Sequence, residues 1–410
     1  MATNRFLGHA LDVAQVDTQT YGGTWEATDV INYTINGKTV SVVAGSTTIA
    51  TIIATVVTAL NDSEIPEFAE ITWAAASSTT LTGTADTAGK PFTLTVATTE
   101  TGGGAADAQT LSNSTTTTSA GRNDVSAATN WSLAAVPAGT NDVSADNIDV
   151  DLLYGLDQSG VGTMATLRLP MSFTGKVGLP INNTDAGSGE NQYAEYRARF
   201  WALAATLEYI GQGTGSGSSR IMRDGGSVQQ TIEVYNTGSP EGSSLGAFIW
   251  KGTNASNTMR VWQGSVSVAP FPGEVATLAT LRNIEGTVDL SPSVTLTTVE
   301  QIAGGQITAR SAMTTLTIRG GTVIVEGSGA ITTVTFAGPG TLIYKGSGTI
   351  GTVNGNGGGV LDASQNEVGF TVTTMNLNGA FTVNDPNKRI TVTTPVIGSG
   401  VTRIETSIAG

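Results

Sequence analysis

A short motif returns along residues 279–383. It is a small residue or Thr, then Thr, then a branched apolar residue: Ala279-Thr280-Leu281, Thr297-Thr298-Val299, Thr314-Thr315-Leu316, Thr332-Thr333-Val334 and Gly351-Thr352-Val353. The apolar members stand at 281, 299, 316, 334 and 353, so the steps are 18, 17, 18 and 19 residues. A second marker keeps the same phase. Gly286, Gly305, Gly321, Gly340, Gly359 and Gly379 each precede or open a short apolar run, such as Gly321-Thr322-Val323-Ile324-Val325. A fixed period with two β-type segments and two glycine turns predicts a β-solenoid. Each coil has an apolar face that only a stacked neighbour can bury. The alternative for such Thr- and Gly-rich sequence is an antiparallel β-sandwich.

With 410 residues the chain is long enough for two or three domains. Residues 1–28 read as an N-terminal arm, in which Arg5, Phe6, Leu7, Leu11, Val13 and Val16 are the candidate contacts to a partner; a strand returning to its own domain is the other reading. Residues 29–99 read as a ββαββ domain. Ile31-Asn32-Tyr33-Thr34-Ile35, the hairpin signal Asn36-Gly37 and Lys38-Thr39-Val40-Ser41-Val42 form its first two strands. Ile49, Ile52, Ile53, Val56, Val57 and Leu60 make one helical stripe, capped by Ser46 or Thr47. Residues 69–73, 81–84 and 91–96 supply further strands. Residues 100–123, rich in Gly, Ser and Thr, read as a flexible linker. The solenoid is expected over 124–384, with Trp131 covering the first coil and Ala165-Thr166-Leu167-Arg168 repeating Ala279-Thr280-Leu281-Arg282. Residues 385–410 are expected to cap the stack. The fold class is therefore mainly β: a small ββαββ domain, then a solenoid with coils of 18–19 residues.

The net charge of −14 argues against nucleic acid, whose phosphates call for Lys and Arg. No run of 18 apolar residues suggests a membrane helix. The chain has no Cys, which excludes disulfides and thiol chemistry. The first residues lack the features of a secretory signal, so export by that route is not expected.

The residues that carry chemistry are sparse. His9 is the only histidine and lies in the arm, away from any Ser/Asp pair. Asp142, Asp146, Asp149, Asp151 and Asp157 form the densest acidic stretch, with Asp149 and Asp151 spaced for one strand face; solvated turns explain them better than a cation site. Glu285, Asp289, Glu300, Glu326 and Asp362 share no phase, so no stacked carboxylates of the kind a polysaccharide-cleaving site needs are expected. Residues 211–217 are Gly-rich but lack the Lys and helix of a phosphate loop. Asn254-Ala255-Ser256 fits a glycosylation pattern. Tyr193, Tyr196, Phe200, Trp201, Trp250 and Trp262, with Arg197 and Arg199, read either as solenoid core or subunit interface, or as a platform for glycan. No enzyme, cofactor or metal is expected.

Several stretches together resemble virion structural proteins of tailed bacteriophages. They are Asn4-Arg5-Phe6-Leu7-Gly8 with Ala14-Gln15-Val16, Ile35-Asn36-Gly37-Lys38, Ile65-Pro66-Glu67-Phe68-Ala69-Glu70-Ile71 and Ala88-Gly89-Lys90-Pro91-Phe92. Leu153-Tyr154-Gly155-Leu156-Asp157-Gln158-Ser159 and Ser265-Val266-Ser267-Val268-Ala269-Pro270-Phe271 complete them. The resemblance covers most of the chain and supplies no catalytic residue. It implies a non-enzymatic, head-associated or fibre-like role on the virion, made in the host cytoplasm. The expected partner is the major capsid protein, with the chain decorating the capsid exterior as a homotrimer. A tail fibre or receptor-binding protein, a β-helical depolymerase and a bacterial adhesin are the alternatives.

Overall fold

A computed structural model of the chain describes residues 2–101, 108–156, 163–179, 200–202, 205–211, 218–240 and 245–404. It is a β-solenoid of about 11 turns over residues 142–397, preceded by a small N-terminal domain. Each regular coil holds one long and one short strand, all parallel. The long strands build a 13-stranded sheet and the short ones a 10-stranded sheet.

The repeat in the sequence is the register of the stack. Leu281, Val299, Leu316, Val334 and Val353 pair in series and then meet Met375. All six are buried in one continuous core. Along Ala276–Asn283 the buried positions are Ala276, Leu278, Leu281 and Asn283. Ala279 and Thr280 therefore both face outward, and the strand turns a corner there. The Thr of the motif forms a ladder at that corner. Thr231, Thr258, Thr280, Thr298, Thr315, Thr333, Thr352, Thr374 and Thr394 stand in register on successive coils. A β-branched residue suits this pleated, half-exposed position. The phased glycines answer two different demands. Gly305 and Gly321 turn the chain with positive φ, +80° and +64°. Gly340 has no such φ, but a Cβ there would lie 2.4 Å from Ile318 Cγ2.

The small domain holds two antiparallel sheets. One runs in the order Ile71–Ala75, Thr80–Ala85, Val16–Gly22, Thr110–Thr117. The other runs Lys38–Val43, Val30–Ile35, Leu94–Thr99. The helix Ile49–Asn61 buries Ile52, Ile53, Val56 and Leu60 in a core with Tyr33, Trp73 and Phe92. Its N-cap is Thr48 rather than Ser46 or Thr47; Ser46 Oγ instead accepts the Thr48 N–H at 3.0 Å. Two strands lie outside the ββαββ pattern read from 29–99: Val16–Gly22, within the expected arm, and Thr110–Thr117, within the expected linker. They pair with each other through Thr, Ser, Asn and Gln. The remaining linker residues 102–107 lie outside the described residues.

The arm crosses to the solenoid. Thr3–Arg5 pairs parallel with Asp142–Ser144 and forms the first strand of the long sheet. Phe6 then meets Trp131 edge to face, centroids 5.1 Å apart. At the other end, Ile390–Ile397 and Thr402–Ile404 continue both sheets in parallel register, so residues expected as a cap form one more coil.

Candidate binding face on the solenoid

The long sheet carries one column of outward side chains: Arg168, Tyr209, Glu233, Arg260, Arg282 and Glu300, each in register with the next. Strand pairing sets these neighbours about 4.8 Å apart, close enough for opposite charges to pair. Arg260 meets Glu233 at 3.4 Å and Arg282 meets Glu300 at 3.0 Å. An aromatic row branches from this column at Tyr209. Tyr209 and Tyr235 stack with centroids 6.3 Å apart and planes 10° from parallel. Tyr235 and Trp262 stack at 6.1 Å and 9°. The Arg168 guanidinium covers the other face of Tyr209 at 4.1 Å. Trp262 donates its indole N–H to Glu233 Oε2 at 3.0 Å, and Arg260 lies 5.6 Å from its ring.

This geometry decides what the aromatics can do. A platform for sugar offers a free ring face. Here the rings face one another along the rod, and both faces of Tyr235 are taken. They present edges, with Tyr235 47 % and Trp262 39 % exposed. Past Trp262, Ile284 and Ile302 extend the apolar strip. A groove of about 380 Å³ is lined by Arg260, Trp262, Arg282, Ile284, Glu300 and Ile302.

Among the described residues, Trp262 is the one aromatic named from sequence that belongs to this face. Trp201 and Trp250 are buried in the solenoid core. Phe200 packs with Met222 and Ile249 in a separate small cluster. Tyr193, Tyr196, Arg197 and Arg199 lie outside the described residues. Tyr209 and Tyr235 were not singled out in the sequence, because the irregular coils before 265 hide their shared phase.

Three of the acidic residues are held locally, and Asp149 is exposed. Asp142 Oδ1 accepts the Thr166 hydroxyl, Asp146 Oδ2 the Ser144 hydroxyl, and Asp151 Oδ1 the Lys176 N–H; Asp157 lies outside the described residues. On the short sheet, Arg310 bridges Asp289 at 2.6 Å and Glu326 at 3.1 Å, and Lys345 lies 3.6 Å from Glu326. Burial alone would lower the Arg310 guanidinium, yet Asp289 and Glu326 hold it above its ordinary value. Lys251 sits 3.5 Å from both Asp224 and Glu274. Burial raises the Glu274 carboxyl against the pull of that lysine. Asn254 is engaged, donating to Ser227 O. His9 is exposed on the arm.

The proposed partner contacts divide. Phe6 is used by its own solenoid and Leu7 and Val16 are half-buried, whereas Arg5, Val13 and Leu11 are exposed, Leu11 by 84 %. Val13 bridges Ala120 where the chain enters and leaves the small domain. No family model, curated protein or solved structure matches the chain.

Proposed function

We propose that the chain is a non-enzymatic structural protein of a virion, decorating the outside of the capsid. The small domain is the attached end and the solenoid the projecting body. The observation that carries this reading is the junction. Both crossings to the small domain leave the same end of the rod, and Phe6 and Trp131 close that end. A load on the small domain is thus passed into the first coil through paired backbone. Leu11 and Val13 lie exposed there, an apolar contact for the major capsid protein. The cross-coil ion pairs support the non-enzymatic reading, since Glu233, Glu300, Asp289 and Glu326 serve as struts between coils. Three-fold positions of a shell suit a homotrimer.

The test is co-sedimentation of the full chain with empty shells. Leu11→Glu with Val13→Glu should abolish binding while the circular dichroism stays unchanged. Binding that survives both changes refutes this attachment. Sedimentation velocity should give a trimer, and a stable monomer sinks the symmetry.

The second reading is a receptor-binding fibre that recognises a glycan. The groove beside Trp262, Ile284 and Ile302 favours it, its arginines being matched by Glu233 and Glu300. Quenching of Trp262 fluorescence by such a glycan supports that reading, and loss of polysaccharide viscosity would instead indicate a depolymerase.

A further inference from the structure

The small domain brings three carboxylates together. Glu26 and Asp29 lie on the loop between Val16–Gly22 and Val30–Ile35, and Glu100 directly follows Leu94–Thr99. One carboxylate oxygen from each lies within 4.8 Å of the other two. Asp29 is 0 % exposed. Its Oδ2 accepts the Glu26 backbone N–H at 2.8 Å, and its Oδ1 has no hydrogen-bond partner. A buried carboxylate oxygen left without a partner is strongly disfavoured, and two more carboxylates beside it add like-charge repulsion.

Among the described residues no cation pairs with Asp29. Residues 14–118 contain two lysines, Lys38 and Lys90, and no arginine. Lys38 is 2.8 Å from Glu67 and Lys90 is 2.8 Å from Glu70. The loop is also fixed in place. Ala44 N–H donates to Asp29 O, Gly45 N–H to Ala27 O, and the Thr101 hydroxyl to Thr28 O. The carboxylates thus converge through the fold rather than by chance of a loose chain.

We propose that Glu26, Asp29 and Glu100 bind a calcium ion. The donors are all hard oxygens, with no His or Cys, which excludes the softer metals. An irregular loop site of this kind suits Ca²⁺, which accepts flexible geometry at about 2.3–2.6 Å, better than Mg²⁺, which demands near-ideal octahedral geometry at about 2.1 Å. Calcium tolerates irregular coordination and would complete its shell with water. Bound there, it ties the loop 23–29 to the far end of Leu94–Thr99, where the chain sets out to cross to the other sheet. Binding to the folded state alone stabilises the domain by mass action.

Terbium tests this on the full chain. Trp25 is buried beside Glu26 and serves as the sensitiser. Excitation of tryptophan should give saturable Tb³⁺ emission that Ca²⁺ displaces at concentrations where Mg²⁺ does not. Calcium should also raise the unfolding temperature relative to chelator. In Asp29→Asn, emission and the calcium shift should be lost, and in chelator this variant should unfold at a higher temperature than the parent. If Asp29→Asn does not fold, the half-buried Glu100→Gln carries the test, with affinity expected to fall at least ten-fold. No saturable emission, or the same emission and calcium shift in the variant, overturns the site and leaves only diffuse binding to an acidic surface.

Discussion

Arg223 and Glu208 form an ion pair inside the solenoid, Nη2 to Oε1 at 2.6 Å, with both side chains fully buried. Arg223 Nη1 also donates to Trp201 O, Gln230 Nε2 donates to Glu208, and Trp250 donates its indole N–H to Gln230. Removing one partner leaves the other charge in the core. Glu208→Gln should cost about 3–5 kcal/mol, read by denaturant unfolding. Adding Arg223→Met should recover much of that loss. A single variant within about 0.5 kcal/mol of the parent contradicts the network.

Phe6 caps the first coil against Trp131. Phe6→Ala should cost about 3 kcal/mol and shift tryptophan emission to the red as water reaches Trp131. Unchanged emission would mean that the arm does not close the rod.

Asn130 is the hub of the junction. It accepts the Ala10 N–H at 2.6 Å and donates to Gly121 O and Asp124 O. Asn130→Ala strands the buried Ala10 N–H at about 1–3 kcal/mol and removes a second donor from Gly121 O and Asp124 O, each of which keeps a backbone N–H. The expected outcome is rapid proteolysis near residues 10 and 121, with the solenoid itself still resistant. Cleavage elsewhere at the same rate argues against the hub.

The coupling between Tyr235 and Trp262 should be modest, because stacked aromatic pairs contribute about 0.5–1.5 kcal/mol. A double-mutant cycle to Ala checks this. Zero coupling would mean that the rings do not stack in solution.

Alkali should unfold the protein. Burial pushes the Tyr21 and Tyr344 phenols up to about 12, and Tyr33, buried beside Tyr21, is raised as well. Their neutral forms favour the fold, so this stability is complete below pH 10 and is lost as pH rises toward 12. Absorbance at 295 nm and circular dichroism should change together over that range. Tyrosines that all titrate near pH 10 with the fold intact would contradict it.

The solenoid was legible because each coil must place a branched residue at the same corner, and Leu281, Val299, Leu316, Val334 and Val353 cannot drift without leaving the core. The helix and five strands of the small domain showed for the same reason, an apolar stripe or an alternation. Val16–Gly22 and Thr110–Thr117 did not. They pair with each other, Val16–Gly22 also with Thr80–Ala85, and hydroxyl and amide side chains, such as Thr18 with Thr116, line their pairing. The cap pairs Thr3 with Asp142, a contact that no local pattern announces. The aromatic face was hidden because Tyr209, Tyr235 and Trp262 are spaced by long, irregular coils. Asp29 and Glu100 meet only after the second sheet has formed.

Cryo-electron microscopy of the intact particle carrying this chain tests the central proposal most directly. Density is expected on the head lattice, with the small domain against the shell, Leu11 at the contact and the solenoid pointing outward. Density at the tail tip alone, or a rod lying with Trp262 and Arg282 against the shell, would contradict it.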